Sequence, residues 1–133
     1  MAEAASVQML RKGYKAFAAQ DMEALSDVIP EDALWHVPGR GPLAGDYKGR
    51  EAIFGYFGKL MEVSGGTFKA DLLHIVGDDK FAVALQRSTW TVKGRSYNGT
   101  DVLVDRVDDS GLAVETWLYL EDQALADELL ASG

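Results

Sequence analysis

The sequence predicts a single α+β domain over residues 1–133, with N-terminal helices packed on one face of a curved antiparallel sheet. In the first half of the chain, apolar residues recur at intervals of three and four, as they do in helices. In the second half they alternate with a period of two, and short turns rich in Gly and Asp separate the segments. A long helix lying across a bent sheet would leave a cone-shaped cavity at one end.

Three helices are predicted before the main sheet and one after it. The first, over residues 4–19, has apolar side chains on one face: Val7, Leu10, Tyr14 and Phe17. Asp21 suits the N-cap of a short second helix, which Pro30 ends. A third helix is predicted around residues 53–60 and a short fourth over 122–130.

The strands are predicted as one short strand followed by a meander. The short strand covers residues 33–37, and the four long ones are 68–76, 80–92, 95–107 and 112–120. The segment from Leu34 to Arg50 contains four glycines and two prolines, which predicts a shaped loop after the short strand. We expect this loop to form one lip of a small-molecule pocket.

Composition excludes several classes of function. The chain has no cysteine, which excludes disulfides and thiolate chemistry and agrees with a cytoplasmic location. The N-terminal residues lack the basic start and long apolar segment of a secretory signal, and no apolar run is long enough to span a bilayer. The net charge of −8 argues against nucleic acid and membrane partners.

The order of these elements, with the strings EDALWHVPG, GDYKGREAIFGYF and VETWLYLED, resembles the SnoaL-like group. That group belongs to the nuclear transport factor 2-like superfamily, which includes ketosteroid isomerases and limonene epoxide hydrolases. The resemblance spans nearly the whole chain and implies the cone-shaped fold. It does not specify a reaction, because the superfamily hosts isomerases, cyclases, dehydratases, hydrolases and non-catalytic binders.

The ketosteroid isomerase catalytic set is not intact at the matching positions. The general base of those enzymes precedes a strand-ending proline, where this chain has Val37. The oxyanion-hole Tyr falls on Gly13, with Tyr14 adjacent, and the oxyanion-hole Asp falls on Leu103. We therefore expect no steroid isomerisation by that mechanism.

The other two catalytic sets match only in part. Of the Asp-Arg-Asp set of limonene epoxide hydrolases, the Arg matches Arg87 and the Asp positions fall on Thr89 and Tyr119. The single Asp base of SnoaL-type cyclases also falls near Tyr119, with Glu115 and Glu121 close in sequence. Cyclase chemistry is weakened but stays open.

Tyr14, Asp101 and His36 are the candidate catalytic residues. Tyr14 lies on the buried face of the first helix and would donate to a carbonyl or hydroxyl, or would be a core tyrosine. Asp101 shares a strand face with Leu103 and Asp105, and a carboxyl in an apolar cavity can act as an acid or base. The alternative is that these acids lie at the cavity rim or pair with Arg87; we favour it for Asp105, and for Asp101 both interpretations stay open.

His36 could carry a proton near neutral pH or be structural, and it faces away from the pocket if Val37 and Trp35 face it. Arg87 would pair with Asp101 or Asp105, or bind a substrate acid. The remaining predicted ligand-binding residues are mainly apolar or aromatic, and the aromatic ones could equally fill a closed core: Trp35, Trp117, Tyr119, Phe17, Phe57 and Leu103. Neither histidine has the spacing of a metal site, so no metal or organic cofactor is expected.

We predict a SnoaL-like enzyme that applies cofactor-free acid/base chemistry to a hydrophobic cyclic molecule. The alternatives are a non-catalytic binding protein with the same pocket and a structural dimerisation module with a filled cone. An open cavity with Tyr14, Asp101 and Arg87 would favour catalysis, and a purely apolar one would favour binding. A homodimer is expected through the sheet's outer face, predicted to carry these apolar residues: Trp90, Val92, Val102 and Val104.

Overall fold

The computed structural model describes residues 3–133, which form four helices and a six-stranded sheet. The helices are α1 (Ala5–Ala18), α2 (Met22–Val28), α3 (Arg50–Val63) and α4 (Gln123–Ser132). The strands are β1 (Leu34–Val37), β2 (Gly45–Lys48), β3 (Lys69–Gly77), β4 (Phe81–Val92), β5 (Arg95–Val107) and β6 (Ala113–Tyr119). The predicted α+β fold, with helices first and a meander second, is confirmed.

The sheet has the order β2-β1-β6-β5-β4-β3. Neighbouring strands run antiparallel except β1 and β6, which pair in parallel with Trp35 opposite Thr116. The parallel pairing is possible because residues 38–112 lie between these two strands and supply the long crossover that parallel strands need. It brings the short N-terminal strand beside the last strand of the meander, so both contribute side chains to the same faces.

Strand β2 was not predicted. The segment after Val37 was expected to be one shaped loop, but its second part, Gly45–Lys48, pairs antiparallel with β1. Both prolines precede β2, so its residues keep the N–H groups that a strand needs. The irregular loop is therefore shorter than expected and covers residues 38–44.

Both short helices, α2 and α4, have an aspartate as N-cap, and Asp21 of α2 is the predicted one. The Asp21 carboxylate accepts a hydrogen bond from the Ala24 N–H at 3.0 Å, and Asp122 does the same for Leu125 at 3.1 Å. Each cap satisfies an N–H group that the helix cannot bond internally. None of the helices in residues 3–133 is long and apolar enough to cross a membrane.

Strand register decides which side chains face the helices. Gln86 of β4 lies opposite Asp101 of β5, and both are buried. Paired residues project to the same face and alternate along each strand, so Leu103 and Asp105 share this inner face. The inner face is covered by α1, α3 and α4.

The predicted outer position of Trp90 and Val92 is wrong. Both lie on the inner face, where Trp90 is 4% exposed and stacks on Tyr97 with ring centroids 5.0 Å apart. Ala126 and Leu129 of α4 complete this cluster. The prediction failed because Arg87 was assigned to the inner face. Since side chains alternate between the two faces along a strand, this assignment put every residue of β4 on the wrong face. Val102 and Val104 do lie on the outer face, opposite Leu85 and Val83 of β4.

Candidate functional site

A cavity of about 90 Å³ lies between α1, α2, α3 and the inner face of the sheet, and it is partly open to solvent. We call it the first chamber. Most of its lining is apolar, and it includes four residues predicted to bind a ligand: Phe17, Trp35, Phe57 and Leu103. Tyr14 also lines it. The cone therefore contains open space, whereas a purely structural module was expected to have a filled cone.

Asp105 is the acidic residue in this chamber. It is 5% exposed, and burial raises the pKa of its carboxyl to about 6 because the charged form is poorly solvated there. Thr116, directly opposite on β6, donates its hydroxyl to Oδ1 of Asp105, which acts to lower that pKa. A carboxyl with these properties can accept or release a proton near neutral pH.

The second oxygen of Asp105 is available to a ligand. No donor in the described part of the chain bonds to Oδ2. Within residues 3–133, the single fully buried side-chain nitrogen or oxygen without a hydrogen bond is Nε1 of Trp35. Oδ2 is therefore not sealed in the protein interior and faces the void that Asp105 lines.

Tyr14 supplies the second polar group of the chamber, but its hydroxyl already has a partner. It donates to Oε1 of Gln86, whose Nε2 in turn donates to Oγ of Ser88 at 2.8 Å. Burial, with the nearby charges of Asp105 and Asp101, raises the pKa of the Tyr14 phenol. Tyr14 therefore keeps its proton at neutral pH and can donate to a ligand after leaving Gln86.

Trp35 carries an unpaired donor in the wall of the first chamber. Its ring packs edge-to-face on Phe57, with centroids 5.1 Å apart, and its Nε1 has no hydrogen-bond partner among the described residues. An unsatisfied buried N–H costs about 1–3 kcal/mol.

A smaller void of about 40 Å³, the second chamber, lies beneath the loop 38–44 and α4. The loop was predicted to form a pocket lip, and four of its residues line this void: Pro38, Gly41, Leu43 and Ala44. Five residues line both chambers and form the boundary between them: Tyr56, Leu60, Phe68, Gln86 and Leu118.

Asp101 lies in the second chamber rather than beside Tyr14. It is 1% exposed, and its Oδ1 accepts from the Tyr97 hydroxyl at 2.7 Å and from the Glu121 N–H at 3.0 Å. Its Oδ2 receives no hydrogen bond from the described residues and, like that of Asp105, is not a sealed atom. The two inner-face acids thus each present one oxygen to a different chamber.

The predicted pocket positions of Arg87, Trp117 and Tyr119 are wrong. Arg87 lies opposite Thr100 on the outer face and donates to the Asn98 side chain at 3.1 Å, so it pairs with neither Asp101 nor Asp105. Trp117 and Tyr119 lie opposite Val104 and Val102, also on the outer face. In β6 the inner face is formed instead by the intervening Thr116 and Leu118.

His36 is also on the outer face, as expected if Trp35 faces the pocket. Its Nδ1 lies 2.8 Å from Asp46 and its Nε2 lies 2.7 Å from Glu115, and the ring stacks on Trp117. Both hydrogen bonds raise the pKa of the imidazole, and the one with Glu115 has the larger effect. His36 therefore joins β2, β1 and β6 and does not contact either chamber, so its predicted catalytic role is not supported by its position.

Sequence reasoning missed Asp105 as the chamber acid, and also Gln86 and Thr116. The alternation of Asp101, Leu103 and Asp105 gave the correct face, but Asp105 was interpreted as the partner of Arg87. Gln86, which lies opposite Asp101, was missed because Arg87 was assigned to the inner face, which placed the neighbouring Gln86 outward. In residues 3–133 no group of three or more acidic, His or Cys residues could hold a metal ion.

Comparison with known proteins identifies the family. The SnoaL-like domain model matches residues 10–116, which is most of the chain. The chain therefore belongs to the SnoaL-like family, as the sequence resemblance predicted. No curated protein sequence matches it significantly.

Several solved structures share the fold over nearly the full length. Bal32a, from a soil-derived mobile gene cassette, is 35% identical with a TM-score of 0.90, and the match covers 95% of this chain and 96% of that one. A nuclear transport factor 2-like protein of unknown function from Burkholderia pseudomallei is 21% identical, with a TM-score of 0.84 and coverages of 96% and 98%. IdmH, a proposed polyketide cyclase from Streptomyces antibioticus, is 23% identical, with a TM-score of 0.73 and coverages of 92% and 97%.

Proposed function

We propose that this protein is a small-molecule enzyme that applies cofactor-free acid/base chemistry to a hydrophobic cyclic ligand in the first chamber. The observation that carries the proposal is Asp105, a buried carboxyl with a pKa of about 6 and one oxygen facing an apolar cavity. Membership of the SnoaL-like family, and fold similarity to a proposed polyketide cyclase, support this class of chemistry.

In this proposal Asp105 moves the proton. As a carboxylate it takes a proton from a carbon next to a ligand carbonyl, and the electron pair of that C–H bond moves toward the carbonyl oxygen. Tyr14, kept protonated by its raised pKa, turns from Gln86 and donates to that oxygen. Thr116 holds Asp105 by its Oδ1 and so points Oδ2 at the ligand.

The size of the first chamber limits the ligand. A cavity of about 150 Å³ accommodates benzene, and the first chamber has about 90 Å³ before any adjustment. We therefore propose a ligand with one ring at this position rather than a steroid-sized skeleton.

The second candidate function is a binding protein that uses the chamber without chemistry. It is favoured by the positions where catalytic residues are missing, since Val37 and Leu103 replace the isomerase carboxyls. The engagement of Tyr14 with Gln86 also favours it, because no free hydroxyl donor then faces the chamber.

Hydrogen–deuterium exchange at the α-carbons of cyclohexanone tests the first candidate. Cyclohexanone has one ring, a carbonyl and α-protons, and proton NMR in D₂O follows their loss directly. We expect exchange above the buffer rate, with a rate that rises with pH to a plateau above about 6 as Asp105 ionises. General-base contributions are typically about 10²–10⁴-fold.

The matched variants are Asp105→Asn and Asp101→Asn. Each keeps an Oδ1 that can accept the existing hydrogen bonds, and each removes one inner-face acid. We expect D105N to lose the exchange and D101N to retain it. Binding of cyclohexanone without exchange in the wild type would favour the binding protein, and equal rates in wild type and D105N would refute the proposed base.

We also propose a homodimer formed through the outer face of the sheet, in a cytoplasmic protein. On this face the register aligns Leu85, Val102 and Tyr119 in one row across β4, β5 and β6, and Tyr119 is 54% exposed. Adjacent apolar side chains on an open sheet face favour a covering partner. Sedimentation of the wild type and of Leu85→Asp tests this: a dimer that the substitution dissociates supports the proposal, and a wild-type monomer refutes it.

A further inference from the structure

The second chamber has an acidic wall that the proposed reaction does not use. Its polar lining is formed by Asp101, Asp127, Gln86, Ser88 and Gln123, and no Lys, Arg or His of the described residues lines it. Oδ2 of Asp101 has no donor there, although the residue is 1% exposed. A buried acid with an unpartnered oxygen and no cation nearby is suited to a hydrogen-bond donor that carries positive charge.

The loop and α4 are joined above this chamber mainly by the side chain of Asp127, with a longer contact of 3.5 Å from Nε2 of Gln123 to the carbonyl oxygen of Pro38. Both oxygens of Asp127 accept backbone N–H groups of the loop, from Arg40 at 3.1 Å and from Gly41 at 3.3 Å. Gln123 also donates to Asp127 at 2.9 Å. Since Asp127 is satisfied by these donors, Asp101 is the acid left to interact with a ligand.

The two chambers adjoin each other along the boundary residues that they share. They share Gln86, and Asp101 and Asp105 are four residues apart on the same strand face, or roughly 13 Å at about 3.3 Å per residue. The second chamber has about 40 Å³, and one water needs roughly 10–15 Å³. Its space suits a short chain of two or three atoms rather than a second ring.

We propose that the second chamber is a subsite for a protonated amine on a short arm, and that the ring bearing this arm occupies the first chamber. Asp101 accepts from the ammonium through Oδ2, and Ser88 provides a further acceptor, because its Oγ receives a hydrogen bond from Gln86 and keeps a second lone pair. The substrate class is thus an amine-bearing cyclic molecule. The inference rests on the proposed function only in that the first chamber must hold a ring.

Three probes of equal heavy-atom count test the subsite. They are 3-phenylpropylamine, which is protonated at pH 7, 3-phenylpropan-1-ol and butylbenzene. Calorimetric or NMR titration gives their dissociation constants for the wild type. We expect the amine to bind at least about 10-fold more tightly than butylbenzene and more tightly than the alcohol.

Asp101→Asn and Asp105→Asn are again the matched pair. We expect D101N to remove the preference for the amine and to leave butylbenzene binding unchanged, while D105N keeps the preference. A wild type that does not prefer the amine would overturn the inference, as would a D101N variant that still prefers it. Loss of the preference in D105N instead would show that the amine sits on Asp105.

If D101N fails to fold, a measurement on the wild-type protein still tests the subsite. Trp90 lines the second chamber and Trp35 lines the first. We expect nuclear Overhauser contacts from the methylene next to the amine nitrogen to the Trp90 indole, and contacts to Trp35 instead would overturn the inference. Binding of butylbenzene without an amine preference leaves the proposed function standing, and failure of all three probes to bind refutes both proposals.

Discussion

Thr116 donates its hydroxyl to Oδ1 of Asp105 across β5 and β6, inside the first chamber. This contact fixes one oxygen of the acid and leaves the other facing the cavity. It also opposes the effect of burial on the pKa of Asp105. The acid therefore titrates near 6 rather than higher, which keeps it ionised at neutral pH.

Replacing Thr116 with Val removes this donor while keeping a similar side-chain volume. A hydrogen bond to a charged group is worth about 1.5–3 kcal/mol, so the pKa of Asp105 should rise by about one to two units. The pH midpoint of cyclohexanone exchange should move upward by the same amount. Thr116→Ser keeps the hydroxyl and should keep the wild-type midpoint, and an unchanged midpoint in T116V would mean that Thr116 does not tune Asp105.

Asp105→Asn should make the protein more stable at neutral pH. The pKa of Asp105 is raised by folding from 3.8 to about 6, so the folded state binds more protons and the free energy of unfolding falls as pH rises from about 4 to 6. At about 1.36 kcal/mol per unit, the full cost of the buried charge is about 3 kcal/mol. Asn avoids this cost and keeps an acceptor for Thr116.

Urea unfolding of wild type and D105N between pH 4 and 8 measures this effect. We expect a difference that grows through pH 4–6 and is constant above, with D105N the more stable protein. If D105N is less stable than the wild type at pH 7, burial of the charged Asp105 carboxylate does not destabilise the fold as expected. Gain of stability on loss of a functional acid is a common trade-off.

His36 should stabilise the fold most below neutral pH. Glu115 and Asp46 raise the pKa of His36 in the folded protein above its unfolded value of 6.5. The contribution of His36 to the free energy of unfolding is therefore complete below pH 6.5 and is lost as the pH rises through the pKa of the folded state. The pKa of Glu115 is lowered by the same contact, so the ion pair also weakens in acid, below the usual value of 4.5. We expect His36→Gln to cost about 0.5–1 kcal/mol near pH 5.5 and less at pH 9.

His74→Gln is the control for this measurement, because His74 is exposed on β3 and forms no ion pair in the described residues. Urea unfolding at the two pH values should show no pH-dependent loss for H74Q. If H36Q loses the same stability at pH 5.5 and pH 9, the carboxylate contacts of His36 are not the cause.

Gly39→Ala should loosen the loop that covers the second chamber. Gly39 has φ = +102°, and an added Cβ would lie 2.3 Å from both Oδ1 of Asp127 and Nε2 of Gln123. We expect a loss of more than about 1 kcal/mol from backbone strain and displacement of Asp127. Gly55→Ala in α3 is the control: nothing lies within 4 Å of its Cβ position, and it should gain about 0.5–1 kcal/mol. Equal effects of the two substitutions on thermal unfolding would contradict this prediction.

The sequence was sufficient for the elements whose pattern is local. Asp21 predicted the start of α2, and the change of period predicted the long strands, because caps and alternation depend on neighbours in the chain. Helical spacing placed Tyr14, and the resemblance to the SnoaL-like group placed Trp35 and Leu103, on the surfaces that line the first chamber. Strand β2 was missed since its partner β1 lies across a loop with two prolines.

The site was harder to predict because it depends on which set of alternate residues in each strand faces the helices. Alternation tells which residues share a face, but it does not say which face is covered by helices. Assigning Arg87 inward reversed β4, and counting from the matched family positions placed Trp117 and Tyr119 inward on β6. The buried polar partners Gln86 and Thr116 would have indicated the correct parity, since each lies opposite an inner-face acid.

Asp105 is a buried acid whose pKa lies close to neutral pH. Carboxyl carbon NMR of protein labelled at aspartate, titrated from pH 3 to 9 and assigned by comparison with D105N, measures its pKa directly. The structure predicts a single resonance, absent from D105N, that titrates at about 6. A pKa near 3.8, that of an ordinary aspartate, would contradict the proposed role of Asp105 and leave the first chamber with only a weakly basic carboxylate at neutral pH.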